Sequence, residues 1–206
     1  MNFRTVSRKA LLTSASTARH IELQNIPSSV TPADIRRLLF RSKVKDVQDV
    51  SIIYRRFMPT GRALLALNEP SYTNDNLRAL ENASFAGVRI QSEAKVETAP
   101  RKNYVERIGD GPHGNTWNGG KNVFIWNLHP STPTATIRSL LEGFELASVE
   151  DSLLKLSYSR AATSSGFLVR LSTESEAQRV VRTLHMTDLE PEKYGPAHPI
   201  RAHVVF

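Results

Sequence analysis

The sequence predicts an α+β fold of two similar units, each a four-stranded antiparallel sheet backed by two helices. Three observations predict it. The two halves repeat at a spacing of 102 residues, from Asn25 to Asn127; each half runs strand, helix, strand, strand, helix, strand; and a stretch containing glycine and proline separates them. The repeat is carried by Asn25-Ile26 against Asn127-Leu128, and by Ile35-Arg36-Arg37-Leu38-Leu39 against Ile137-Arg138-Ser139-Leu140-Leu141. The same offset at both places means that no insertion separates the first strand from the first helix in either unit.

In the first unit Ile21 and Leu23 alternate with Glu22 and Gln24, the period of a strand with one buried face. Pro27-Ser28-Ser29 turns the chain. Thr31 then caps a helix with Pro32 at its first position, Asp34 three residues after the cap, and Ile35, Leu38 and Leu39 on an apolar stripe. Val50, Ile52 and Tyr54 alternate as a second strand, and Met58-Pro59-Thr60-Gly61 is expected to close a hairpin into a third, Arg62 to Leu67. A second helix is expected over Tyr72 to Asn82 with Leu77 and Leu80 inward, before Gly87 turns the chain into Val88-Arg89-Ile90 as the fourth strand.

The second unit gives the same order. Val123 to Asn127 is the first strand, Thr132 before Pro133 is expected to cap a helix, and Leu154 to Tyr158 and Gly166 to Leu171 are the middle strands. A helix over Glu174 to Leu184 carries Ala177, Val180, Val181 and Leu184 on one face, and Ile200 to Phe206 is the last strand, reached through a long proline-containing loop from Met186 to Pro199. The domain plan is therefore a segment 1–19, a unit 20–97, a linker 98–121 and a unit 122–206.

Composition sets the outer limits. The 206 residues are 40% hydrophobic and 23% charged, the balance of a chain that buries a core, and no apolar run approaches the ~20 residues that a helical membrane span requires. With no cysteine there is no disulfide framework, no thiolate metal site and no cysteine nucleophile. The formal charge of +7 is unevenly placed: Arg4, Arg8, Lys9 and Arg19 fall in the first twenty residues, where no acid occurs, leaving 23 basic against 20 acidic residues elsewhere. This Arg-, Ser- and Thr-rich start has the composition of a mitochondrial presequence, and lacks the apolar stretch of a secretory signal. Its alternative is a basic arm that touches RNA phosphates directly.

The second unit's first strand, Val123-Phe124-Ile125-Trp126-Asn127-Leu128, and more loosely Ile21-Glu22-Leu23-Gln24-Asn25-Ile26, match the six-residue apolar-aromatic-apolar-x-Asn-Leu motif of the RNA recognition motif (RRM) family. With the strand and helix order, the chain from His20 to Phe206 resembles tandem RRM domains, which implies two ferredoxin-like β-α-β-β-α-β folds and single-stranded RNA as the partner. The third-strand motif is matched only in outline. Where the family has aromatic residues facing RNA, this chain has Arg62 and Leu64 in the first unit and Gly166 and Leu168 in the second. A register shifted by one would put Phe167 on the RNA face but drive Arg170 into the core, so the unshifted register is expected.

The resemblance implies an RNA-binding surface centred on the second unit, with Phe124 and Trp126 stacking bases, Asn127 and Leu168 on motif positions, and Arg170 and Arg201 on phosphates. Phe124 and Trp126 lie two apart on a strand, away from the core that Val123 and Ile125 face, so both are expected to be dispensable for folding. In the first unit the contribution is limited to Arg62 and to the hairpin pair Arg55 and Arg56, because Glu22 stands where a base would stack. The other reading of Phe124 and Trp126 is a patch covered by the linker or a partner.

No enzyme is implied. Gly114 with Gly119-Gly120-Lys121 is a poor phosphate loop, since Asn122 replaces the hydroxyl and a strand rather than a helix follows. The six histidines show no metal-binding spacing, no cofactor is implied, and the acidic pairs fall at solvated strand ends. The expectation is an RNA-binding protein of the mitochondrial matrix, acting in transcript processing, stability or translation. The alternative is a non-catalytic subunit of a mitochondrial ribonucleoprotein or ribosome whose degenerate sheets bind protein.

Overall fold

The computed structural model describes residues 18–95, 119–148, 152–156, 163–194 and 199–206. The presequence-like segment up to residue 17, nearly all of the linker and the Ser157-Tyr158 end of one expected strand lie outside the described residues. The chain divides into two compact units, with the boundary between Trp117 and Asn118.

The first unit runs β1 (His20–Gln24), α1 (Pro32–Arg41), β2 (Val47–Arg55), β3 (Met58–Leu67), α2 (Thr73–Leu80), β4 (Ser84–Phe85), β5 (Val88–Arg89) and β6 (Gln91–Lys95). Its main sheet is antiparallel in the order β2-β3-β1-β6. The second unit runs β7 (Asn122–Leu128), α3 (Thr134–Leu140), β8 (Leu153–Leu156), β9 (Ser165–Arg170), α4 (Glu174–Leu184), the short α5 (Pro191–Tyr194) and β10 (Arg201–Val205). Its sheet order is β10-β7-β9-β8, again antiparallel. Counted within each unit, both sheets place the first strand between the third and the last. The sequence repeat is thus a repeat of topology.

Alternation decides which face of each sheet meets the helices. Ile21, Leu23, Ala63 and Leu65 are buried beside Ile35, Leu38 and Leu39 of α1 and Leu80 of α2. In the second unit Val123, Ile125, Phe167 and Val169 form one core with Ile137, Ala177, Val180 and Leu184. Phe167 therefore faces inward and Leu168 outward, the register expected from the position of Arg170. The helix starts follow their sequences. Thr31 and Asp34 complete a reciprocal capping box on α1, and Thr173 accepts from the Glu176 N–H at the start of α4.

Several boundaries differ from expectation, each for a local reason. The first hairpin turns at Arg56-Phe57, both at positive φ, rather than at Met58 to Gly61, which belong to β3. Gly61, at φ +74°, marks a bulge whose carbonyl accepts the Ile26 N–H at 2.9 Å; a Cβ there would meet the Ile26 carbonyl at 3.2 Å. Val88-Arg89 is a small hairpin with Ser84-Phe85, and the fourth sheet strand is Gln91–Lys95, whose polar sequence hides its period. On α2 it is Asn76, not Leu77, that is buried, because its side chain both accepts from and donates to the Lys45 backbone. Thr132 does not cap α3: it is buried, and Pro133 occupies the cap position with no side-chain bond.

Candidate nucleic-acid interface

The open faces of the two sheets, turned away from their helices, differ in chemistry. On the second sheet the pairing aligns Arg201 with Trp126 and His203 with Phe124 on the β10 side, then Leu168 and Leu154 across β9 and β8. Phe124 and Trp126 stack nearly parallel, with centroids 5.3 Å apart, and the His203 ring meets both edge-on at 5.7 and 4.9 Å. The outcome is an aromatic triad beside the apolar Leu168 and Leu154.

Exposure within the triad is unequal. Phe124 is only 2% exposed and Leu168 1%, whereas Trp126 and His203 are half-buried. The expectation that both Phe124 and Trp126 are dispensable for folding is therefore corrected at Phe124, whose ring is packed although it lies off the main core. Trp126 is the ring within reach of a ligand. Arg201 lies at its end of the face and Arg170 at the other, each half-buried and without an ion pair among the described residues. The four residue steps from Trp126 back to Asn122, the partner of Arg170, separate the two cations by about 13 Å along the strand.

Asn127 does something else. It sits at φ 64°, and its side-chain amide donates to the Pro199 carbonyl at 3.0 Å; its repeat counterpart Asn25 sits at φ 65° and donates to the Arg89 carbonyl at 2.8 Å. In both units this asparagine ties the end of the first strand to the chain entering the last strand. Asn tolerates the left-handed conformation because its short polar side chain compensates locally.

On the first sheet the open face is closed by charge. Glu22 is 7% exposed and lies 3.4 Å from Arg62 and 3.6 Å from Lys95. Gln24 donates to it at 3.2 Å, and Glu93 takes a second contact from Lys95 at 3.4 Å. Arg62, expected to face phosphate, thus has a carboxylate partner within its own sheet. Arg55 ends β2 and Arg56 occupies the turn, both exposed, and the ion pairs of the Glu22 carboxylate are made by Arg62 and Lys95.

Sequence reasoning missed His203, Lys95 and Gln24. Their roles depend on which strands are neighbours, and only the alternation of His203 with Ala202 and Val204 hinted at an outward position. Among the described residues no group of three or more His, Asp or Glu could hold a metal ion, and no helix is long and apolar enough to cross a membrane.

No protein-family model matches the sequence, and no curated protein matches it. Among solved structures, the two RNA recognition domains of Sex-lethal from Drosophila melanogaster share 12% identity at a TM-score of 0.33, over 90% of this chain and 99% of that one. The first two RRM domains of the yeast poly(U)-binding protein Pub1 share 13% at 0.34, over 90% and 98%. The yeast splicing factor Prp24 shares 15% at 0.33, over 91% and 66%. The structural neighbours are RRM proteins. At these scores the overlap is loose, and it is the strand order and pairing within each unit that define the fold.

Proposed function

We propose that the chain is a pair of degenerate RRM domains that binds single-stranded RNA through the open sheet face of the second unit, in mitochondria, in the processing, stability or translation of transcripts. The observation that carries this reading is the contrast between the two faces. One presents a half-exposed Trp126 edged by His203, with Arg201 and Arg170 at either end; the other is an ion-pair cluster centred on a buried Glu22. A ring stacks on any base, and flanking arginines neutralise phosphate, so this arrangement suits sequence-tolerant binding of a flexible strand. Trp126 supplies the stacking surface, Phe124 holds it upright, and the arginines set the path of the backbone. The mechanism is binding without turnover.

The Glu22 cluster supports a second reading confined to the first unit. A carboxylate in mid-sheet repels phosphate while its partners are already neutralised, so that unit serves as a protein-facing or structural module of a ribonucleoprotein.

The deciding experiment is Trp126→Ala in the full chain, titrated with a labelled single-stranded RNA at fixed salt. Binding is expected to weaken by about 1 to 3 kcal/mol, with a loss of stability of only about 0.5 to 1.5 kcal/mol from the lost ring contacts. Phe124→Ala, in contrast, is expected to lower stability by about 3 to 5 kcal/mol, the cost of emptying a packed aromatic site. An unchanged dissociation constant for the Trp126 variant rejects this face as the RNA site.

A further inference from the structure

The helix side of the first unit holds a groove that the RNA reading does not use. Its walls are the β1–α1 turn with Pro27 and Val30, the outer face of α1, and the tip of the β4–β5 hairpin with Phe85 and Ala86; the cavity volume is about 750 Å³. Phe40 stands on its rim at 86% exposure, on a helix whose core face is already supplied by Ile35, Leu38 and Leu39.

The internal repeat gives a control for what the fold requires. At the repeat spacing Phe40 corresponds to Glu142 and Arg41 to Gly143, which lie just beyond the shorter α3, so the second unit forms its sheet and core without an exposed aromatic or neighbouring cation at this place. Burial does not account for Phe40, and a large apolar ring left in water beside a concavity marks a contact surface.

The charge around it has one sign. Arg36, Arg37 and Arg41 line the groove against a single lining carboxylate, Asp34. Arg37 pairs with Asp34 at 2.8 Å, Arg36 lies 4.0 Å from Asp49, and Arg41 has no ion pair among the described residues. A nucleic-acid strand would satisfy these cations and could stack a base on Phe40, but stacking uses a flat open ring and leaves the recess lined by Val30 and Phe85 unfilled. A peptide satisfies both, with a bulky apolar side chain in the concavity and carboxylates on the arginines.

We propose that this groove docks an acidic peptide segment of a protein partner, its anchoring aromatic or leucine side chain seated against Phe40 and its flanking carboxylates held by Arg36 and Arg41. The proposal stands apart from RNA binding, because the groove and Trp126 belong to different units.

The test uses the isotopically labelled full chain and three probes: a short peptide with a central Trp flanked by glutamates, the same peptide with lysines in their place, and oligouridylate. The glutamate peptide is expected to shift the amide signals of Val30, Phe40 and Arg41 saturably, with affinity falling as salt is added. Phe40→Ala combined with Arg41→Ala should weaken it about tenfold or more while the melting temperature holds, since both side chains are exposed and alanine favours the helix. The idea fails if neither peptide shifts those signals or if the lysine peptide binds equally well. It fails too if oligouridylate moves the same signals, which would make the groove a nucleic-acid contact.

Discussion

Glu22 decides what the first sheet can bind. Its carboxylate engages Arg62 and Lys95 from opposite sides, so the two cations on that face are matched before any ligand arrives. Glu22→Gln keeps the shape and removes the charge, and is expected to release both for phosphate. In a Trp126→Ala background, where the second unit contributes least, this change should raise RNA affinity at low salt, and the gain should fade as salt rises. Titration of the two variants at several salt concentrations checks it; equal affinity throughout would mean that Glu22 does not restrain the face. Across the repeat, the position of Glu22 holds Phe124, which is packed against both Trp126 and His203. One residue thus separates a charge cluster from an aromatic face at the same place in the fold.

At the scale of elements, α1 is fastened by its first turn. The Thr31 hydroxyl donates to the Asp34 carboxylate at 2.7 Å and the Thr31 N–H donates to it at 3.0 Å, while the Asp34 N–H donates back to the Thr31 hydroxyl. These bonds, aided by the Arg37 guanidinium, hold the Asp34 carboxyl below its ordinary value of 3.8. A carboxyl lowered by folding stabilises the native state above its unfolded pKa, and the gain is lost as pH falls through the lowered folded value. The contribution of Asp34 is therefore expected to be complete above about pH 5 and to fade below about pH 4. Asp34→Asn should cost about 0.3 to 1 kcal/mol near neutral pH, and the difference from the parent should shrink in acid. Denaturant titrations at pH values on both sides of 4 read this directly. The Asn25 and Asn127 ties act at the same scale, each joining the end of a first strand to the approach to the last.

For the whole molecule, each unit has its own sheet and its own core, which predicts independent folding. A fragment from Asn115 to Phe206 contains all of the second core cluster and is expected to unfold in one cooperative transition. Collapsed amide dispersion in that fragment would show that the units depend on each other to fold. Targeting belongs to this scale as well. Because every basic residue of the first twenty stands without an acid, residues 1–25 fused to a fluorescent protein are expected to enter mitochondria, and cytosolic or nuclear fluorescence would overturn the localisation.

The sequence by itself determined the repeat, the strand and helix order, the register of β9 and the start of α1. These rest on apolar period and capping chemistry, both local signals that Ile21, Leu23, Phe167, Thr31 and Pro32 carry in full view. It did not determine β6, whose Gln91-Ser92-Glu93-Ala94-Lys95 has too little apolar alternation to read, nor the burial of Asn76, which depends on a backbone segment 31 residues away. The tertiary structure alone decided the site. Strand order set Arg62 and Lys95 around Glu22, and set His203 against Phe124 and Trp126, because partners across a sheet are chosen by topology and not by distance along the chain. For the same reason Phe124 was legible as an outward residue, while its burial was not.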